Sequence, residues 1–302
     1  MGVVGSPRRP TGQTLDMAKN DQVVQRIVVG TDGSENATTA MRWAAEEAAV
    51  HGASLAAILV WSYLDQFHAD GSTTFDPAYD EDGARAALAA WVTRTLGGAG
   101  KEVEQHLELD IPARGLLEAG DAADLLVLGA RGVGGFEGLL LGSVSERVAQ
   151  LCRKPVAVVR AHAPVRNGRV VVGVDGSARS LEALRWAAAE ARARGAELDV
   201  VHAWRVPMMT APSIYSVVPD LSMLEEVGRT VLDAAVADAG LTDTLVRPHL
   251  TNGSAAQALI ERANGAGLVV VGTRGQGRVT GTLLGSVSRQ LLHHAPCPVV
   301  II

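Results

Sequence analysis

The sequence predicts an α/β protein with two tandem, doubly wound domains, each a five-stranded parallel sheet in the order 3-2-1-4-5. Three observations lead to this prediction. The 302-residue chain repeats itself, each repeat alternates Val/Ile/Leu-rich segments with Ala-rich amphipathic ones, and 47% of the residues are hydrophobic. Strands separated by helical crossovers form parallel sheets with helices on both faces. The expected product is a pseudo-twofold pair of similar domains.

The repeat is visible in matched blocks at one constant spacing of 143 positions. The matched blocks are D-G-S at 32–34 and 175–177, R-W-A-A at 42–45 and 185–188, and L-L-G-S-V-S at 140–145 and 283–288. A constant spacing leaves no net insertion between blocks, so the chain is a tandem duplication of whole domains. We predict a flexible tail over 1–22, domains over 23–160 and 169–302, and a linker over 161–168.

Each copy alternates strand and helix patterns. The first copy predicts, in order, a strand over 26–31, a helix over 37–51, a strand over 54–61, a helix over 81–96, a strand over 102–109, a helix from 112, a strand over 124–129, a helix from 143 and a strand over 155–160. The continuous apolar run at 125–128 is typical of a strand buried on both faces. The final strands, 155–159 and 298–302, are expected to meet across the pseudo-twofold axis. Trp43 and Trp186, among alanines, are expected in the core.

Composition excludes several classes of function. Lys plus Arg is 27 and Asp plus Glu is 33, which gives a net charge of −6 and no electrostatic reason to expect nucleic-acid binding. The apolar runs are far shorter than the roughly 20 residues that span a bilayer, so we expect no membrane partner. The two cysteines, Cys152 and Cys297, suit a reducing cytoplasm and an apolar role rather than a disulfide framework.

Two glycine-containing segments are predicted to converge in each copy. The first is the turn after strand one, G-T-D-G-S at 30–34; the second follows strand four and has the form G-x2-G-x9-G-S, beginning at Gly129 and again at Gly272. In doubly wound folds, ligands bind beyond the carboxyl ends of the strands, at the switch point between these two segments. The sequence therefore predicts one binding site in each domain.

The residue types in these segments suit a nucleotide. Glycines let the backbone approach an anion closely. Ser143 or Ser145 is a candidate N-cap, and the N–H groups at a helix N-terminus favour phosphate oxygens. Asp32 and Asp175 could accept hydrogen bonds from ribose or adenine, or help to hold a metal ion. A plain structural role for the glycines is the alternative, but the identical spacing in both copies favours a binding site.

Two other patterns are discounted. His293-His294 with Cys297 resembles a metal cluster, but the first copy does not repeat it, so a helix end is the preferred interpretation. Ser34 and Ser177 could be nucleophiles, but the one histidine that recurs, His106 and His249, falls within the third predicted strand of each copy and not beside these serines, so we discount this interpretation. We therefore predict neither catalytic residues nor a protein metal site.

These motifs resemble the universal stress protein family in its tandem, ATP-binding form. The resemblance implies ATP, with or without Mg²⁺, as the ligand, held by adenine- and ribose-contacting residues near strands one, two and four and by a phosphate loop. In the first copy these are Gly30, Asp32, Val60, Leu128, Gly129, Arg131, Gly132, Gly134, Gly142, Ser143, Val144 and Ser145. In the second they are Gly173, Asp175, Ala203, Val271, Gly272, Arg274, Gly275, Gly277, Gly285, Ser286, Val287 and Ser288.

The leading hypothesis is an ATP-binding stress-response or signalling module whose protein partner reads nucleotide occupancy. The resemblance implies a homodimer, and the loops over 62–80 and 206–220, which differ most between copies, are candidate partner surfaces. The chain lacks a Walker-type Gly-Lys-Ser/Thr, which disfavours efficient phosphoryl transfer. The alternatives are a weak ATP hydrolase, an adenylyl-transfer enzyme, although those usually carry Ser-Gly-Gly-x-Asp-Ser after strand one, or a nucleotide-free interaction scaffold.

Overall fold

The computed structural model describes residues 24–63, 66–68, 75–133, 140–160, 168–205, 221–241, 244–275 and 284–302. The predicted tail over 1–22, the linker except for its last residue, and the loop over 206–220 lie outside these residues, as do Gly134 and Gly277 of the candidate site.

The strands and helices follow the predicted order in both copies. The first domain contains β1 (Arg26–Thr31), α1 (Glu35–His51), β2 (Ser54–Trp61), α2 (Glu81–Leu96), β3 (Glu104–Leu109), α3 (Pro112–Asp121), β4 (Leu125–Gly129), α4 (Ser143–Leu151) and β5 (Val156–Val159). The second contains β6 (Val170–Gly173), α5 (Ala178–Arg194), β7 (Leu198–Trp204), α6 (Leu221–Asp238), β8 (Val246–Asn252), α7 (Ala255–Ala263), β9 (Leu268–Val271), α8 (Ser286–His294) and β10 (Val299–Ile301). A 3₁₀ helix, Gly97–Glu102, precedes β3, so the prediction that this strand begins at residue 102 is wrong by two residues.

The ten strands found among the described residues form one sheet in the order β3-β2-β1-β4-β5-β10-β9-β6-β7-β8. Each half therefore has the predicted order 3-2-1-4-5, with parallel pairing throughout the half. The halves join where β5 pairs antiparallel with β10, and Val158 lies opposite Val299. The prediction that the final strands meet is confirmed, and the meeting makes the two sheets continuous.

Helices cover both faces of this sheet. Helices α1, α2, α5 and α6 contribute to one apolar cluster, and α3, α4, α7 and α8 contribute to the other. Successive side chains of strand β1 point to opposite faces of the sheet, so Ile27 and Val29 belong to the first cluster and Val28 belongs to the second. Trp43 and Trp186 are 7% and 3% exposed, which confirms their predicted place in the core.

A buried charged cluster joins the two domains between α1 and α5. Arg194 Nη2 lies 2.5 Å from Glu47 Oε1, its Nε contacts Glu190, and His51 Nε2 lies 2.9 Å from Glu190 Oε2. Glu47 matches Glu190 and His51 matches Arg194 at the repeat spacing of 143. Among the described residues, the glutamates and His51 also have the proximity of a metal-ligand set. These carboxylates already have a cation beside them, because the guanidinium of Arg194 contacts both glutamates.

The junction of β4 with α1 yields a testable consequence for stability. A Cβ at Gly129 would lie 2.7 Å from both the amide nitrogen of Ala37 and the carbonyl carbon of Asn36. Neither backbone atom can move without shifting α1, so Gly129→Ala should lower the free energy of unfolding by about 1–3 kcal/mol. At Gly98 nothing lies within 4 Å, and Gly98→Ala should change stability by no more than about 0.5 kcal/mol. Urea denaturation of both variants checks this, and equal losses would contradict it.

Candidate functional site

The second domain contains a cavity of about 330 Å³ at the carboxyl ends of its strands. Gly173 at the end of β6, Ala203 near the end of β7 and Val271 at the end of β9 contribute to one side. The first residues of α7 and α8 contribute to the other. This is the switch-point position where doubly wound folds bind ligands.

Eleven of the twelve residues predicted for the second site line this one cavity. They are Gly173, Asp175, Ala203, Val271, Gly272, Arg274, Gly275, Gly285, Ser286, Val287 and Ser288. The twelfth, Gly277, lies outside the described residues. Segments distant in sequence, from strand one to the last helix, are therefore brought together around a single space.

The Asp of each strand-one turn lies against the glycine loop. In the second domain, the Ser177 amide donates to Asp175 Oδ1 over 3.0 Å, and a Cβ on Gly275 would overlap Asp175 Oδ2. In the first domain, the amides of Ser34 and Val133 donate to Asp32 over 3.0 and 2.9 Å. Any side chain at Gly275 would have to displace the Asp175 carboxylate from its place in the turn.

The helix that follows each loop is not capped as predicted. Helix α4 has Gly142 as its N-cap with no side-chain cap, so the prediction of Ser143 or Ser145 as the cap is wrong. The Ser145 hydroxyl instead donates to the Gly129 carbonyl over 2.7 Å, and Ser288 does the same to Gly272. Both serines thus link the helix to the end of strand four. The amides of the first turn have no intrahelical acceptor and are suited to an anion.

Positive charge accompanies the start of α8. Arg274 and Arg289 both line the cavity, and Arg289 Nε lies 3.9 Å from Glu146 Oε1 of the first domain. A helix N-terminus adds a positive partial charge of its own. Sequence reasoning missed Arg289 because it sought residues repeated in both copies, and the first copy has Glu146 at that position.

Apolar side chains complete the cavity and were also missed. Val201, Leu259 and Leu284 contribute to its wall, together with Ala255 at the start of α7. Their patterns in the sequence were those of ordinary core residues, and all but Ala255 are indeed almost fully buried. Only the fold shows that their side chains also border an open space.

The two thiols are poor nucleophiles and poor metal ligands. Burial raises the pKa of Cys297 to about 12 and also raises the pKa of Cys152 above its usual value. Thiols with raised pKa values stay protonated near neutral pH, and the thiolate is the reactive and ligating form. This is what the predicted apolar role requires.

Comparison with known proteins identifies the family. The profile of the universal stress protein family matches residues 24–160 and again residues 166–302. A universal stress protein of Mycolicibacterium smegmatis is 32% identical over 286 residues, covering 91% of this chain and 96% of that protein. One from Mycobacterium tuberculosis is 32% identical over 293 residues, with the same coverage.

A solved structure shows the same fold. The crystal structure of a universal stress protein from Archaeoglobus fulgidus matches with a TM-score of 0.66 at 21% identity, covering 91% of this chain and 97% of that one. Among the described residues, no helix combines the length and the apolar character needed to cross a membrane. The double profile match and the relatives that cover nearly the whole chain lead to one conclusion: the chain belongs to the universal stress protein family and carries two of its domains in tandem.

Proposed function

We propose that the protein binds an adenine nucleotide, ATP with or without Mg²⁺, in the clefts at the carboxyl ends of its strands, and acts as a stress-response module. One observation carries the proposal: eleven of the residues that the sequence motifs and the family resemblance assign to a nucleotide site line one cavity of about 330 Å³. That volume lies in the range of small-molecule sites, which is roughly 300–1,000 Å³.

The cavity has an apolar and a polar part, as a nucleotide requires. Val201, Leu259 and Val271 form an apolar wall that suits a purine ring. Gly275 and the first turn of α8, together with the cavity's arginines, offer backbone amides and positive charge to phosphate oxygens. Asp175 borders the same space and could accept a hydrogen bond from a ribose hydroxyl.

The chemistry supports binding rather than rapid turnover. The sequence has no Gly-Lys-Ser/Thr motif to neutralise the β- and γ-phosphates with a lysine. Arg274 and Arg289 could supply part of that charge, which would permit at most slow hydrolysis. A protein partner or a second copy of the chain would recognise the nucleotide-occupied state.

Calorimetric titration with ATP, with and without Mg²⁺, tests the proposal. The unaltered protein should release or absorb heat on binding, and the double variant G132V/G275V should bind about 100-fold more weakly, because each new side chain displaces the neighbouring Asp. The matched control is Gly98→Val, which enters open space and should bind normally. Far-UV circular dichroism confirms that each variant is folded. No binding by the unaltered protein, or equal binding by the folded double variant, would refute the proposal.

A further inference from the structure

The two domains differ at several positions that line the cavity in the second domain. We propose that they are unequal nucleotide sites: the second domain holds the nucleotide tightly, and the first binds it at least tenfold more weakly. The inference rests on the proposed function. Beyond that function, it specifies which domain is occupied and which side chains determine the occupancy. It follows from comparing residues at the repeat spacing of 143.

The apolar wall is bulkier in the first domain. At the repeat spacing, Val60 replaces Ala203, Leu128 replaces Val271 and Ile58 replaces Val201. Gly115 accommodates part of Val60, whose methyl carbons lie 2.9 and 3.0 Å from where a Cβ on Gly115 would be, and the second domain has Ala258 there. Even so, the three replacements together add more carbon to this wall than the change from alanine to Gly115 removes.

The floor of the cleft shows the same difference. A Cβ on Gly30 would lie 2.5 Å from Leu116 and 2.7 Å from Leu128. At Gly173, the matching residue of the second domain, the corresponding distances are 2.8 Å to Leu259 and 3.3 Å to Val271. Side chains therefore approach the end of strand one more closely in the first domain. Protein interiors do not compress readily, so a ligand must displace these side chains to enter.

The charge at the helix start has the opposite sign. Arg289, the fourth residue of α8, lines the second cavity, whereas Glu146 is the fourth residue of α4. An arginine near a phosphate adds charge-assisted hydrogen bonds, while a glutamate in the same place repels the anion. Arg289 Nε lies 3.9 Å from Glu146 Oε1, so the two charges partly offset each other, but of the two only Arg289 lines the described cavity. Size and charge thus act in the same direction and favour the second domain.

Exchanging the differing residues between the domains tests the inference. Calorimetric titration of the full chain with Mg·ATP should give one tight site per chain. The variant A203V/V271L/R289E gives the second domain the residues of the first, and it should lose that site or weaken it at least tenfold. The variant V60A/L128V/E146Q gives the first domain the smaller apolar residues and removes its negative charge; it should retain the tight site and strengthen binding at the first. Circular dichroism confirms that both are folded.

The possible outcomes separate this inference from the proposed function. Two equal tight sites in the unaltered protein would overturn the inference and leave the proposed function standing. The same holds if one tight site survives A203V/V271L/R289E unchanged but is lost in Gly132→Val. No binding of ATP, ADP or AMP by the unaltered protein would overturn both. One tight site, lost in A203V/V271L/R289E and in Gly275→Val but not in Gly132→Val, is the expected result.

Discussion

Replacing Arg194 with methionine should lower the free energy of unfolding by about 3–5 kcal/mol, the cost typical of removing one partner of a buried ion pair. The Arg194 side chain is only 6% exposed and contacts both Glu47 and Glu190. Without it, the two buried carboxyl groups retain only each other and His51. Methionine fills most of the space that the aliphatic part of the arginine side chain occupies. The loss of stability therefore measures the missing charge and not a cavity.

Two further variants make this result decisive. Arg185 lies on the exposed side of the same helix, so Arg185→Ala should change stability by no more than about 0.5 kcal/mol. The quadruple variant E47L/H51L/E190L/R194M removes the polar groups together and should regain most of the lost stability, because well-packed apolar residues often replace a buried ionic cluster without cost. Urea denaturation followed by tryptophan fluorescence measures all three. A loss below about 1 kcal/mol for Arg194→Met would show that the cluster is better solvated than the structure indicates.

The same cluster should make the protein less stable as the pH rises. Burial, and then the negative charge of Glu190, raise the pKa of Glu47 to about 9 despite the opposing effect of Arg194. Burial also acts to raise the pKa of Glu190, but hydrogen bonding to His51 and the charge of Arg194 outweigh it and lower that pKa to about 2. Near neutral pH the two carboxyl groups therefore hold one proton between them.

The direction of the pH effect follows from these values. A carboxyl group whose pKa is raised in the folded state contributes stability at low pH and loses it as the pH rises from about 4.5 to about 9. With one proton retained by the folded state alone, the free energy of unfolding should fall by up to about 1.4 kcal/mol per pH unit between roughly pH 6 and 9. Glu190 acts in the opposite direction and only in acid, below its usual pKa.

Glu47→Gln isolates the contribution of this proton. Glutamine keeps a neutral hydrogen-bond donor toward Glu190 at every pH, so the fall in stability between pH 6 and 9 should flatten in this variant. Urea denaturation at several pH values compares the two slopes. Identical slopes in the variant and the unaltered protein would show that Glu47 is already ionised at neutral pH.

The sequence predicts the fold well because the repeat supplies the same pattern twice. The positions of Gly132 and Gly275 could be inferred since their role lies in the backbone, and a glycine is visible in sequence. The N-cap of α4 could not be inferred, because the Ser145 hydroxyl can form a hydrogen bond either with its own helix or with the end of β4. Only the packing of the folded protein decides between them. Arg289 was missed because comparing the two copies selects repeated residues, and this arginine is not repeated.

The charged cluster was equally invisible from sequence. Glu47 and Glu190 follow the polar pattern of a helix face, which in a single domain indicates exposure to water. They are buried, at 3% and 2% exposed, because α1 and α5 contact each other across the pseudo-twofold axis. A property of the pair of domains cannot be inferred from the periodicity of one helix.

The continuous sheet also determines how this protein can associate with others. Pairing of β5 with β10 leaves β3 and β8 as its outer edge strands. Strand β3 carries Glu104, His106 and Glu108, and β8 carries Arg247 with Pro248, which has no amide to donate. Charges and proline are the features by which natural sheets resist edge-to-edge aggregation. Within the described part of the chain, addition of a further strand from another molecule is therefore disfavoured at both edges, which favours association through helices and loops.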